Sequence, residues 1–108
     1  MKLTGKCKEE FEKWFVKDID IDEDEFFNND TMLYLFYAER ESMQYGVYVD
    51  FFDSVDIFIQ IETRIFDKEH PCYIYSKTVY NRVGIFKTRP EARTAAITKA
   101  NEICNGRN

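Results

Sequence analysis

Apolar residues near the start of the chain recur at the spacing of one helical face. Charged residues occupy the opposite positions, which is the pattern of a surface helix with one buried side. The pattern predicts a helix over residues 5–17, with Thr4 as its N-cap. The apolar positions are Leu3, Cys7, Phe11, Trp14 and Phe15.

A second helix is predicted over residues 89–105. It opens with Thr88 at the N-cap, Pro90 inside the first turn and Glu91 three residues after the threonine, which is the capping-box arrangement. One apolar stripe follows: Ala92, Ala96, Ala100 and Ile103, flanked by Ile97 and Cys104. The small alanines would let this helix approach a sheet closely.

Between these helices the apolar period changes to two, which is typical of strands. Apolar residues alternate over 45–52 and again over 56–66, with turn residues between them, so the pattern predicts a hairpin. Residues 72–80 are rich in aromatic and β-branched residues and predict a third strand. The segment 32–42 fits a short helix or a strand, and its charged end favours a helix.

These elements predict an α+β fold in a single domain over residues 1–108. An antiparallel sheet of three to four strands would carry the N- and C-terminal helices on one face. The expected core residues are Phe11, Trp14, Val47, Val49, Ile57, Ile59, Ile61, Ala96, Ala100 and Ile103.

An acidic block without Lys or Arg runs from residue 18 to residue 30. Like charges this dense repel one another and resist burial, so the block should be exposed and attract a basic partner. The aromatic outer side of the predicted hairpin is a second candidate contact. The predicted partner-binding residues are Asp18, Asp20, Asp22, Glu23, Asp24 and Glu25, together with Tyr48, Phe52 and Phe58.

The composition limits the choice of partner and compartment. A formal net charge of −5 and a pI near 4.9 oppose direct binding to nucleic acid or to an anionic membrane. Three widely spaced cysteines without a C-x-x-C pair favour a reduced, cytoplasmic protein. No signal-peptide region and no apolar run of membrane-spanning length is found.

The sequence gives little support for a catalytic or metal site. Asp18, Asp20 and Asp22 imitate the start of an EF-hand loop, but the glycine and the closing glutamate that the loop needs are missing. His70 and Cys72 supply two of the four ligands that structural zinc takes. We therefore expect no metal, no cofactor and no catalytic residue.

A nuclease site is the remaining catalytic alternative. Asp50, Asp53, Asp56 and Glu62 loosely match the hairpin carboxylates of metal-dependent nucleases, but Arg64 stands where a lysine would organise water. Arginine does not deprotonate and cannot act as a general base. The predicted order of elements also resembles the double-stranded-RNA-binding domain, whose run of lysines is absent.

Three blocks of the sequence resemble a family of small uncharacterised bacteriophage and prophage proteins. They cover residues 5–14, 42–55 and 88–103, and include YGVYVDFFDSV and TRPEARTAAITKANEI. The resemblance implies a phage origin and a bacterial host cytoplasm, and it transfers no catalytic residue.

On that basis we expect a binding protein of the anti-CRISPR type. It would inhibit a host nucleic-acid-handling defence system by occupying the basic surface of a host protein, for example a nuclease. The alternatives are a phage accessory protein whose acidic block is only solvated, and a weak metal-dependent nuclease. The target, the stoichiometry and the oligomeric state stay open.

Overall fold

The computed structural model describes the backbone of residues 1–17, 29–63, 72–76 and 81–107, and the side chains of 1–17, 29–61 and 86–107. In the described part of the chain there are four helices and three strands. They are α1 (Gly5–Lys17), α2 (Asn29–Ala38), α3 (Glu41–Ser54), β1 (Ile59–Thr63), β2 (Cys72–Ser76), β3 (Asn81–Phe86) and α4 (Arg89–Gly106).

The two terminal helices follow the sequence prediction. Helix α1 has the predicted bounds, and α4 extends one residue beyond them. At the start of α4 the Thr88 hydroxyl accepts a hydrogen bond from the Glu91 N–H at 3.3 Å, and Pro90 lies in the first turn. The helical interpretation of 32–42 is also confirmed, because α2 covers most of that segment.

The predicted fold class is wrong, because the described chain is mostly helical. Residues 45–52, predicted as the first strand of a hairpin, lie inside α3. Six of these eight residues are aromatic or aliphatic, so the segment fits a period of two and a helical period at once. The helical period prevails, and the buried residues of α3 are Gln44, Tyr48, Phe51 and Phe52.

The predicted layering also differs from the structure. The three strands form an antiparallel sheet in the order β1-β2-β3, with Ile61 opposite Ile74 and Ile74 opposite Gly84. Helix α4 contacts all three strands, whereas α1 makes its main contacts with α2, α3 and α4. The two terminal helices therefore do not share one face of the sheet.

Phe11 is the centre of the core. Its ring lies 4.9 Å from Tyr48, 5.3 Å from Phe36 and 5.4 Å from Phe51, measured between centroids, so α1, α2 and α3 all meet at this residue. Of the predicted core residues, Phe11, Ile57, Ala96 and Ala100 are buried. The others are half-buried: Trp14, Val47, Val49, Ile59, Ile61 and Ile103.

Two asparagines near the end of α4 hold the start of α1. Asn105 accepts a hydrogen bond from the Cys7 N–H at 2.9 Å and donates one to the Thr4 carbonyl at 3.1 Å. Asn101 accepts from the Thr4 N–H at 3.0 Å and donates to the Thr4 hydroxyl at 2.9 Å. Thr4 lies at the predicted N-cap position, directly before α1, and its carbonyl accepts the first helical hydrogen bond from the Lys8 N–H at 3.2 Å. The Cys7 N–H, which a cap side chain commonly binds, is bonded by Asn105 instead.

Candidate protein-binding surface

Helix α2 is apolar on more than the side that it buries. Residues 32–38 are apolar without interruption, and the inner side places Met32 and Leu33 in half-buried positions and Phe36 in the core. A helix that is apolar all round is normally buried on every side. Here the contacts of α2 are mainly with α1, so its outer side is left exposed.

Large apolar side chains are exposed on α2 and in the first turn of α3. The exposed fraction is 73% for Tyr34, 47% for Leu35, 39% for Tyr37 and 58% for Met43. Thr31, Tyr34, Leu35 and Ala38 have the i, i+3, i+4, i+7 spacing of a single helical stripe. We call Tyr34, Leu35, Tyr37, Ala38 and Met43 the α2 face.

Gln44 fixes the corner between α2 and α3. Its side-chain amide is buried and donates hydrogen bonds to the carbonyls of Tyr37 at 3.2 Å and Glu39 at 2.9 Å. The last carbonyls of a helix lack partners within it, so this amide satisfies groups that would otherwise be orphaned. The contact holds Met43 beside the end of α2.

Carboxylates border the α2 face. The Tyr37 hydroxyl donates a hydrogen bond to Glu12 Oε1 at 2.9 Å, and burial together with this bond raises the pKa of Tyr37. Asp30 lies in the first turn of α2, while Glu39 and Glu41 flank Arg40 at the corner. The border is therefore negative on balance, which suits a partner with basic groups around an apolar contact.

A cleft of about 500 Å³ adjoins the α2 face. Its lining includes Lys2 and Lys8 as well as Tyr37, Glu39 and Glu41. Buried Gln44 also contributes to the lining. A cleft beside an exposed apolar patch can hold an anchoring side chain of a partner.

The predicted partner-binding residues are not assembled as expected. Asp18, Asp20, Asp22, Glu23, Asp24 and Glu25 lie outside the described residues. Tyr48 and Phe52 are buried in the core, because α3 replaces the hairpin that would have exposed them. Phe58 is exposed at 43%, just before β1.

The described residues that were candidates for catalysis do not lie together in one site. Asp50 and Asp53 are exposed on α3, and Asp56 follows that helix, so they do not line a hairpin. His70 and Arg64 lie outside the described residues, and the side chains of Glu62 and Cys72 do as well. Over the described residues, no three His, Cys, Asp or Glu side chains are placed to share a metal ion.

None of the described helices combines the length and apolar character needed to cross a membrane. No protein-family model, no curated protein and no solved structure matches this chain.

Sequence reasoning missed the α2 face. The signal was the unbroken apolar run 32–38, which is longer than one buried helical side requires. From the sequence alone the run fits a helix or a strand, and it does not indicate which of its apolar residues stay exposed.

Proposed function

We propose that this protein works by binding another protein, and that the partner is a basic component of a bacterial host's nucleic-acid-handling defence system. Binding would inhibit that system in the manner of an anti-CRISPR protein. The observation that carries the proposal is the exposure of three large apolar side chains, Tyr34 and Leu35 on α2 and Met43 in the first turn of α3. Small soluble proteins seldom expose such a patch unless it meets a partner.

Aromatic side chains make the α2 face suited to this role. Tyrosine offers a large contact area with few rotatable bonds and is enriched among the residues that dominate binding energy. Tyr37 is already held by its hydrogen bond to Glu12, so little freedom is lost when a partner covers it.

Charge supports a basic partner. The acidic residues 18–25 precede α2 by a few positions in the sequence, and Asp30, Glu39 and Glu41 lie in or beside α2. Surfaces that grip nucleic acid are rich in Lys and Arg, and an acidic protein competes for the same groups. The resemblance of residues 42–55 and 88–103 to phage proteins supports the host defence system as the setting, and with it a bacterial cytoplasm.

The experiment compares charge insertions on and off the surface. Tagged protein is used to isolate partners from the native host, in parallel with Tyr34→Glu, Leu35→Glu and the control Thr94→Glu, which places the same charge at an exposed position of α4. A specific partner should be retained by the control and lost with both α2 variants. Losing a contact of this kind typically weakens binding about 30-fold.

Two further measurements separate the alternatives. The purified partner's nucleic-acid activity should fall when the protein is added, and should stay unchanged with Leu35→Glu. Reversing Asp18, Asp20, Asp22 and Glu23 to Lys should slow association and flatten its dependence on salt. A partner held equally by all variants would contradict the proposal and leave the accessory role. Cleavage of DNA or RNA by the protein with Mg²⁺ or Mn²⁺ would favour the nuclease.

A further inference from the structure

A second concavity, of about 520 Å³, lies between α3, β1 and the first turns of α4. Arg89 and Arg93, one turn apart, line it from α4. The concavity shares no residue with the α2 face, so a ligand there would be independent of the partner proposed above. Its α3 wall is one helical stripe with the i, i+3, i+4, i+7, i+8 spacing, made of Ser42, Tyr45, Gly46, Val49 and Asp50.

Tyr45 joins the two helical walls. Its side chain packs against the buried pair Ala92 and Ala96 of α4, whose small side chains let the ring come close to that helix. Arg93 is near enough to act on the Tyr45 hydroxyl: burial raises the pKa of Tyr45, and the guanidinium opposes that rise. The hydroxyl and the guanidinium therefore lie near each other in the lining.

The two arginines lack a counter-charge. Within the described residues, neither Arg89 nor Arg93 forms an ion pair or a side-chain hydrogen bond, and the Tyr45 hydroxyl forms no hydrogen bond there either. Arg93 is half-buried, and an unpaired charge that is partly withdrawn from water interacts more strongly with an incoming anion than an exposed charge does. Because the arginines are four positions apart, both side chains can reach one oxyanion.

The rest of the lining suits the body of a small molecule. Val49 and Ile59 are half-buried and supply apolar surface. Gly46 leaves space over α3, because a Cβ added to it would meet no atom within 4 Å. Asp50 is the one carboxylate among the described residues of the lining, and it can accept a hydrogen bond from a hydroxyl group. Apolar walls with a few polar groups, in a cleft of this volume, are typical of small-ligand sites.

We propose that this concavity binds a small organic phosphate, of the size of a sugar phosphate or a mononucleotide. Arg89, Arg93 and the Tyr45 hydroxyl would donate hydrogen bonds to the phosphate, whose three terminal oxygens can accept from all three groups. The body of the ligand would lie over Gly46, with a hydroxyl group donating to Asp50. A single phosphate is favoured over a nucleic-acid strand, because a protein with a net charge of −5 repels a polyanion.

The test measures the binding of AMP, adenosine and inorganic phosphate by isothermal titration calorimetry. AMP should bind saturably and more weakly as salt is added, and adenosine, which lacks the phosphate, should bind about tenfold more weakly or worse. The double variant Arg89→Gln and Arg93→Gln should weaken AMP binding about tenfold or more. Lys99→Gln, which removes a positive charge further along α4, should leave it unchanged.

Variants on α3 test the geometry. Tyr45→Phe keeps the ring and should weaken AMP binding about fivefold, because one donor to the phosphate is lost. Gly46→Phe fills the space for the body of the ligand, so it should weaken the binding of AMP and leave that of inorganic phosphate unchanged. Gly46→Ala should preserve both, and circular dichroism confirms that the variants fold.

Three results would overturn the proposal. The first is a dissociation constant above about 1 mM for both AMP and glucose phosphate. The second is AMP binding that survives the double arginine change, and the third is tighter binding of a single-stranded oligonucleotide than of AMP. Leu35→Glu, on the α2 face, should leave AMP binding unchanged, so the outcome does not depend on the protein partner proposed above.

Discussion

The ring of Phe11 lies 4.9 Å from the ring of Tyr48, and the buried Tyr48 hydroxyl finds no hydrogen-bond partner in the described part of the chain. A buried polar group without a partner costs stability, typically about 1–3 kcal/mol. We therefore predict that Tyr48→Phe leaves the free energy of unfolding unchanged or raises it by about 1 kcal/mol. Urea denaturation followed by Trp14 fluorescence measures this.

Tyr37→Phe is the matched control for that change. It removes the same hydroxyl from a tyrosine that does have a partner, Glu12. It should lower the free energy of unfolding by about 0.5–1.5 kcal/mol. Destabilisation by Tyr48→Phe that equals or exceeds this loss would show that the Tyr48 hydroxyl is satisfied.

The hydrogen bonds from Asn105 to the start of α1 lead to a second prediction. Asn105→Ala should destabilise the protein by about 1–2 kcal/mol, because it removes the bonds to the Cys7 N–H and the Thr4 carbonyl. Asn105→Asp keeps an acceptor for Cys7 and should lose less. Equal stability of the alanine variant and the natural protein, in the same urea assay, would contradict this role.

Gly5 belongs to the same contact. Its φ is +60°, and a Cβ there would lie 3.1 Å from Asn105 Oδ1. Gly5→Ala should therefore lower the free energy of unfolding by about 1 kcal/mol or more. Gly46→Ala, at an open helical position, should raise it by up to about 1 kcal/mol. A stabilising effect of Gly5→Ala would refute the proposed strain.

The raised pKa values of three tyrosines lead us to expect a loss of stability at alkaline pH. Burial raises the pKa of Tyr48 to about 12, and it also raises the pKa values of Tyr37 and Tyr45. The unfolded chain loses these protons near pH 10, before the folded protein does. Stability should be constant with respect to these groups below pH 9. Above pH 10 it should fall, and Tyr48 should contribute about 1.4 kcal/mol per pH unit until its pKa in the folded protein, about 12, is reached.

Tyr48→Phe provides the check on that slope. The variant should lose stability less steeply between pH 10 and pH 11, by the contribution of one proton. Urea midpoints at intervals of half a pH unit would resolve the difference. Identical slopes for the variant and the natural protein would show that Tyr48 ionises equally in both states.

Two cysteines should be unreactive in the folded protein. Cys7 and Cys104 are both buried, and burial raises the pKa of Cys7, with the neighbouring Cys104 adding to the effect. Since the thiolate is the reactive form, a thiol reagent such as DTNB should label them only as fast as the protein unfolds. A Cys72→Ser background isolates the pair, and rapid labelling in buffer without denaturant would contradict the prediction.

How much of this could be predicted from the sequence depends on how local the signal is. Helix α4 was found because Thr88, Pro90 and Glu91 mark its start within four residues. The sequence of helix α3 predicts a strand because apolar residues stand at every second position from Tyr45 to Phe51. The same residues also fit a helix, so the local pattern does not decide. The contact of Phe11 with Tyr48 and Phe51 decides between the two, and no local pattern contains it.

The candidate surfaces also differ in whether a local sequence signal or a long-range contact determines them. The acidic block is visible in the sequence, but the α2 face depends on which side of the helix α1 covers. Ile59 of β1 and Arg89 of α4 line the same concavity although thirty positions separate them in the chain. Arg107, at the end of α4, likewise donates to the carbonyl of Val55 at 2.6 Å, a contact that nothing near either residue indicates.

The bonds from Asn101 and Asn105 to α1 join residues separated by 97 to 101 positions. Closing a loop of that length costs conformational entropy of order 4 kcal/mol. The hydrogen bonds that offset this cost form only once α1 and α4 are both in place. Docking of α1 should therefore come late in folding, after α3 and α4 have met, and α1 should be among the first elements to detach. Because Phe11 arrives with α1, the aromatic core is completed only in that last step, so the barrier to folding should be dominated by long-range contacts.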